Sequence, residues 1–166
     1  MRNKNRDTMH WWVLPMAVLT AVLTSVVMGA CSSIECPVQN TIATIYELND
    51  TLKDTLTVWT KRKDGKDTVL LNKQINATQL TLPISQQRDV DTLIFGTTRL
   101  AVTDTVWLMK MDLPHFESVD CGTAFFHLLT GVKSTHSGID SVVIIKPYID
   151  YDLSYAHLRI YFKARD

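Results

Sequence analysis

The chain has 166 residues, 46% of them hydrophobic, and its 17 basic and 17 acidic side chains balance to a net charge of +0. That length suits a single domain. Charge neutrality supplies no electrostatic reason to expect a nucleic-acid partner.

The first segment reads as an address. Residues 1–10 carry Arg2, Lys4 and Arg6 against Asp7, residues 11–28 carry no charge, and Gly29, Ala30 and Cys31 follow. A basic head, an apolar body and a small-residue close form the pattern of an export signal. An uncleaved membrane anchor is the alternative, since the apolar run approaches the roughly 20 residues of a span and Pro15 does not forbid one. Met28-Gly29-Ala30-Cys31 resembles the lipobox of bacterial lipoproteins, in which a cysteine after a small residue is acylated and becomes the mature N-terminus. Met28 departs from that pattern, where Leu is usual. Cys36, preceded by Ile34 and Glu35, does not fit it.

This resemblance implies a signal peptide over 1–30, a lipidated tether over 31–40 that begins at Cys31, and a folded domain over 41–166. Two or three acyl chains suffice as an anchor, because each buried methylene contributes about 0.8 kcal/mol. Without residues 1–30 the basic residues fall to 14 and the acids to 16, a net charge of −2. Attachment then rests on the lipid rather than on a basic patch.

Beyond the tether, Thr, Val, Ile and aromatic residues alternate with polar ones, the pattern of half-buried strands. The spacing predicts strands over 41–48, 55–62, 67–73, 78–84, 91–97, 104–111, 123–130, 140–146 and 156–163. Lys63-Asp64-Gly65-Lys66 reads as a hairpin turn. In 123–132, Phe125, Leu128, Leu129 and Val132 also fit a short helix face, but the segment is short and meets Gly131, which favours a strand. About nine short strands point to an all-β chain: an antiparallel β-sandwich, with a small β-barrel as the runner-up.

Asp followed by Thr or Ser and then an aliphatic recurs at Asp50, Asp54, Asp67, Asp91, Asp104 and Asp140. An aspartic protease needs Gly at the third position for a tight turn that brings two carboxylates together. Leu or Val stands there in every case. The motif therefore reads as the start of a strand, with Asp closing the preceding turn and the aliphatic entering the core.

Two cysteines remain. In an oxidising compartment Cys36 and Cys121 are expected to form a disulfide, with two buried thiols as the alternative. No Cys-x-x-Cys supports a redox pair. His115, Cys121, His127 and His136 lack the compact spacing of a zinc site, so no metal and no cofactor are expected, and His127 reads as a sheet-face histidine. No Gly-x-Ser-x-Gly elbow supports a hydrolase. Trp59 and Trp107 fall within strand patterns and are expected in the core. Near the end, Tyr148, Asp150, Tyr151 and Tyr155 cluster in a loop that, with His136, is the candidate ligand-binding site; tyrosines beside acids suit a sugar ring, although they also form sheet rims.

Glu35-Cys36-Pro37, Asp120-Cys121-Gly122, Phe125-Phe126-His127, Thr135-His136, Ile139-Asp140-Ser141-Val142 and Tyr161-Phe162 together resemble a family of uncharacterised lipoproteins from Bacteroidetes bacteria, a domain of unknown function. The resemblance implies an envelope location, adds weight to a Cys36–Cys121 pairing and brings no activity. By analogy, Ser32 after Cys31 favours the outer membrane, on either its periplasmic or its surface face. The expectation is a non-enzymatic lipoprotein, held at the membrane by its N-terminal lipid, that serves as a structural or interaction module for other envelope proteins. The alternative is a small-ligand or glycan-binding lipoprotein.

Overall fold

The computed structural model describes residues 42–62, 64–86 and 88–163. Cys31, Cys36 and the expected signal and tether therefore lie outside the described residues. Eight strands follow one another: β1 (Ala43–Lys61), β2 (Asp67–Pro83), β3 (Val90–Thr97), β4 (Val102–Ser118), β5 (Gly122–Ser134), β6 (Ile139–Ile144), β7 (Tyr148–Ile149) and β8 (Leu158–Phe162). The all-β expectation holds. All eight belong to one open sheet in the order β6-β8-β1-β3-β4-β5-β7, with β2 also paired to β1. Among the described strands only β1 and β8 pair in parallel.

The strands are fewer and longer than the alternation predicts. Segments 41–48 and 55–62 fall within β1, and 67–73 and 78–84 within β2. The polar residues between them are absorbed as register shifts, at Glu47/Leu52 and Leu52/Thr55 on β1. Opposite, Lys73 and Asn76 adopt φ of 50°. Extra residues in one strand of a pair bend it and increase its twist rather than ending it.

That bend builds the core. The Tyr46 ring lies 6.4 Å from Phe95, and Phe95 pairs with Val58, twelve positions further along β1. A straight strand would separate Tyr46 and Val58 by about 40 Å. Folding back instead, β1 places Tyr46, Leu56 and Val58 in one apolar cluster with Leu82, Phe95, Leu108, Ile139 and Ile160. Segment 123–130 is strand, within β5.

Trp59 and Trp107 are only half-buried, contrary to expectation. Val58 and Leu56 on β1, and Val106 and Leu108 on β4, occupy the inward row, and alternation turns both tryptophans to the other face.

Three carboxylates of the recurring Asp motif secure connections. Asp54 Oδ1 accepts the N–H of Thr55 at 2.6 Å and of Arg99, in the β3–β4 turn, at 2.9 Å. Asp91 Oδ2 accepts the Ser85 N–H at 2.8 Å. Asp104 accepts from Ser137, Gly138 and Ile139 backbone N–H groups and from the Thr135 hydroxyl. Only Asp91 closes its own preceding loop as expected; Asp54 and Asp104 sit within strands and hold turns far away in sequence.

Candidate functional site

Two groups of chemistry-bearing side chains stand out. The first is aromatic and centres on Phe126 of β5. His115 stacks on its ring at 4.3 Å and 21°, and Tyr148 and Tyr151 meet it edge-on at 5.9 and 5.1 Å. The pairing registers explain the convergence: Leu113 pairs with Phe126, His115 with Ala124 and Leu128 with Tyr148, so all project from one face. His115 Nε2 lies 3.5 Å from Glu117. Burial and the neighbouring Glu117 carboxylate raise the Tyr151 phenol. Phe116 and Val119, on the same hairpin, are 66% and 90% exposed, and Tyr148 is 41% exposed.

The predicted loop site is thus divided. Tyr148 and Tyr151 join the Phe126 cluster. Asp150 is used locally: its Oδ1 accepts the Asp152 N–H at 2.8 Å and the Tyr155 hydroxyl at 3.4 Å. Tyr155 packs edge-on against His157 and carries Lys146 Nζ over its ring at 3.6 Å. His136 is elsewhere, in the β5–β6 turn, with Nδ1 2.7 Å from the Asp140 carbonyl oxygen. The set His115, Cys121, His127 and His136 does not converge, and no group of three or more potential metal ligands occurs among the described residues.

Cys121 lies in the β4–β5 turn, donating its N–H to Ser118 Oγ at 3.2 Å. Of the expected Cys36–Cys121 pair, only Cys121 is among the described residues. No disulfide joins two described residues, because Cys121 is the single cysteine among them and Cys36 lies outside. Cys121 is nonetheless not a free thiol.

The second group is ionic and buried, and the alternation gave no sign of it. Lys110 of β4, fully buried, donates from Nζ to Asp112 Oδ1 at 2.5 Å, and His127 Nδ1 meets the same oxygen at 2.7 Å. An extra residue on β5, between Leu129 and Gly131, shifts the register at Met109/Lys110 and sets Asp112 opposite His127. Burial opposes the Asp112 charge, but hydrogen bonds from Lys110 and His127 outweigh it and hold the carboxyl below its usual range. Burial pushes His127 down, with Asp112 offsetting part of the effect. An expected lone sheet-face histidine is therefore one arm of a Lys–Asp–His cluster.

Asp91 lies within electrostatic reach of Lys110 and His127. It also lines a cavity of about 310 Å³ with Arg62, Leu70, Ile84, Arg88 and Leu93. Burial raises its carboxyl; the Ser85 N–H, Lys110 and Arg88 only partly counter this. The chemistry these residues offer is recognition of charge and apolar surface.

No curated protein and no solved structure matches the chain. The model of a family of unknown function (DUF6452) matches residues 55–162, more than half of the chain and nearly the whole strand array, and the chain belongs to that family.

Proposed function

We propose that the protein is a bacterial envelope lipoprotein, acylated at Cys31 after removal of residues 1–30. Its strand domain serves as a non-enzymatic interaction module at the outer membrane. The lipobox-like Met28–Cys31 and the resemblance to Bacteroidetes lipoproteins support the anchor. One observation carries the module: Phe116 and Val119 are exposed on the hairpin that also bears the Phe126 aromatic cluster. Large apolar side chains gathered at one end of a water-facing domain suit a partner surface. The sandwich reading belongs to this proposal too, supported by the fold-back of β1 that lays Tyr46 over Phe95.

A glycan-binding role for the Tyr148–Tyr155 loop has less support, because Asp150 and Tyr155 are already engaged with each other.

Cell fractionation tests the anchor. Cys31→Ser should move from the carbonate-washed membrane pellet to the soluble fraction, and retention in the pellet would remove the lipoprotein reading. Cross-linking in intact cells tests the module. Phe116→Ser combined with Val119→Ser should lose adducts that the wild type forms, while unchanged adducts would exclude this surface.

A further inference from the structure

Asp91 and Asp104 begin similar tripeptides, Asp91-Thr92-Leu93 and Asp104-Thr105-Val106, yet their carboxylates are served very differently. Asp104 receives three backbone N–H groups and a hydroxyl. Asp91, 7% exposed, accepts one hydrogen bond among the described residues, from Ser85. A carboxylate offers about four acceptor positions, so an oxygen of Asp91 that faces the cavity can take further donors. The spare capacity of Asp91 coincides with the cavity it lines.

The remaining walls are complementary. Leu70, Ile84 and Leu93 supply apolar surface, Arg62 and Arg88 supply two guanidinium groups, and Lys61 adds a third cation. Among the described residues neither arginine has a carboxylate within ion-pair distance. Guanidinium forks match carboxylates in shape and charge. A volume of about 310 Å³ lies at the lower end of small-molecule sites, which run from about 300 to 1,000 Å³.

We propose that this cavity binds a small zwitterion with the chemistry of a hydrophobic amino acid or dipeptide. The ligand ammonium donates to Asp91, its carboxylate pairs with Arg62 and Arg88, and its aliphatic side chain packs on Leu70, Ile84 and Leu93. Both ends of the ligand are needed, since either charge alone would leave the opposite wall unpaired. None of the residues that line the cavity belongs to the Phe116–Val119 hairpin surface.

Titration calorimetry on the detergent-solubilised full chain tests it, with leucine, leucyl-leucine, N-acetyl-leucine and leucinamide as probes. Saturable binding of leucine or leucyl-leucine is expected, at least tenfold tighter than binding of the acetylated or amidated compound. Arg88→Gln and Asp91→Asn should each weaken binding at least tenfold, and a urea midpoint for each variant establishes that it is folded. Should Asp91→Asn fail to fold, Arg62→Gln takes its place. Absence of saturable binding, equal affinity for the blocked compounds, or unchanged affinity in a folded variant would overturn the proposal.

Discussion

The Gly138 N–H donates to Asp104 Oδ2 at 2.6 Å across 34 positions of sequence, fastening the β5–β6 turn to the start of β4. Ser137 and Ile139 donate to the same carboxylate at 2.7 and 2.9 Å, and the site is closed to water, with Asp104 2% exposed. The turn thus takes its shape from a side chain on a distant strand.

Asp104→Ala would strand three backbone donors. Each buried unsatisfied group costs about 1–3 kcal/mol, so a loss of at least about 3 kcal/mol is expected in urea unfolding at neutral pH. Burial works against the Asp104 charge, but the donated hydrogen bonds outweigh it and lower its carboxyl. Its contribution is therefore complete above the unfolded value near 4 and is lost as pH falls through the folded value. An unchanged urea midpoint in Asp104→Ala would show that the turn holds itself.

The Lys110–Asp112–His127 cluster predicts unequal effects from its members. Asp112→Ala leaves the buried Lys110 ammonium unpaired and should destabilise by about 3–5 kcal/mol, whereas Lys110→Met leaves an Asp112 that is 25% exposed and still bonded to His127, and should cost less. Lys110 also depresses His127. In Lys110→Met the His127 imidazole should titrate at higher pH than in wild type, as followed by NMR.

His127 and His157 are both fully buried. His157 Nδ1 accepts the Ile45 N–H at 3.0 Å, which requires the neutral ring. Burial lowers both histidines. Below about pH 6.5 the unfolded chain therefore binds protons that the native state refuses, and stability falls as pH falls, by up to about 1.4 kcal/mol per unit for each ring. Asp91, raised by burial, acts in the opposite sense as it protonates, so the histidine effect is read from a variant. His157→Asn keeps an acceptor for Ile45 and should lose less stability than wild type between pH 7.5 and 5.5; identical losses would remove His157 from the account.

Gly96 faces the Trp59 ring so closely that an added Cβ would stand 2.7 Å from Cζ3 and 2.9 Å from Cη2. An indole is rigid and must move as a whole. Gly96→Ala should cost about 1–3 kcal/mol and shift the tryptophan fluorescence. Combining it with Trp59→Leu should recover most of the loss in a double-mutant cycle. Additive losses would mean that the two positions do not meet.

Alternation by itself determined the strand class, because a two-residue period leaves each strand one apolar face whatever its partners are. It located β3, β5, β6 and β8 and gave the strand reading for 123–130. The recurring Asp motif picked out Asp54, Asp91 and Asp104 together with Asp50, Asp67 and Asp140, and the tyrosine-rich tail placed Tyr148 and Tyr151 in one region. Sheet order, the fold-back of β1 and the choice of inward row depended on long-range pairing, which local spacing does not encode. For the same reason Trp59 and Trp107 turned outward, and 49–54, between two predicted strands, is bulged strand. The buried cluster and the cavity were illegible for a further reason. Lys110, Asp112, His127 and Asp91 come from three strands, and one extra residue on β5 brings the Asp112–His127 pair into register. A polar side chain shows in sequence only as an interruption, and its value as a partner exists once the chain has folded around it.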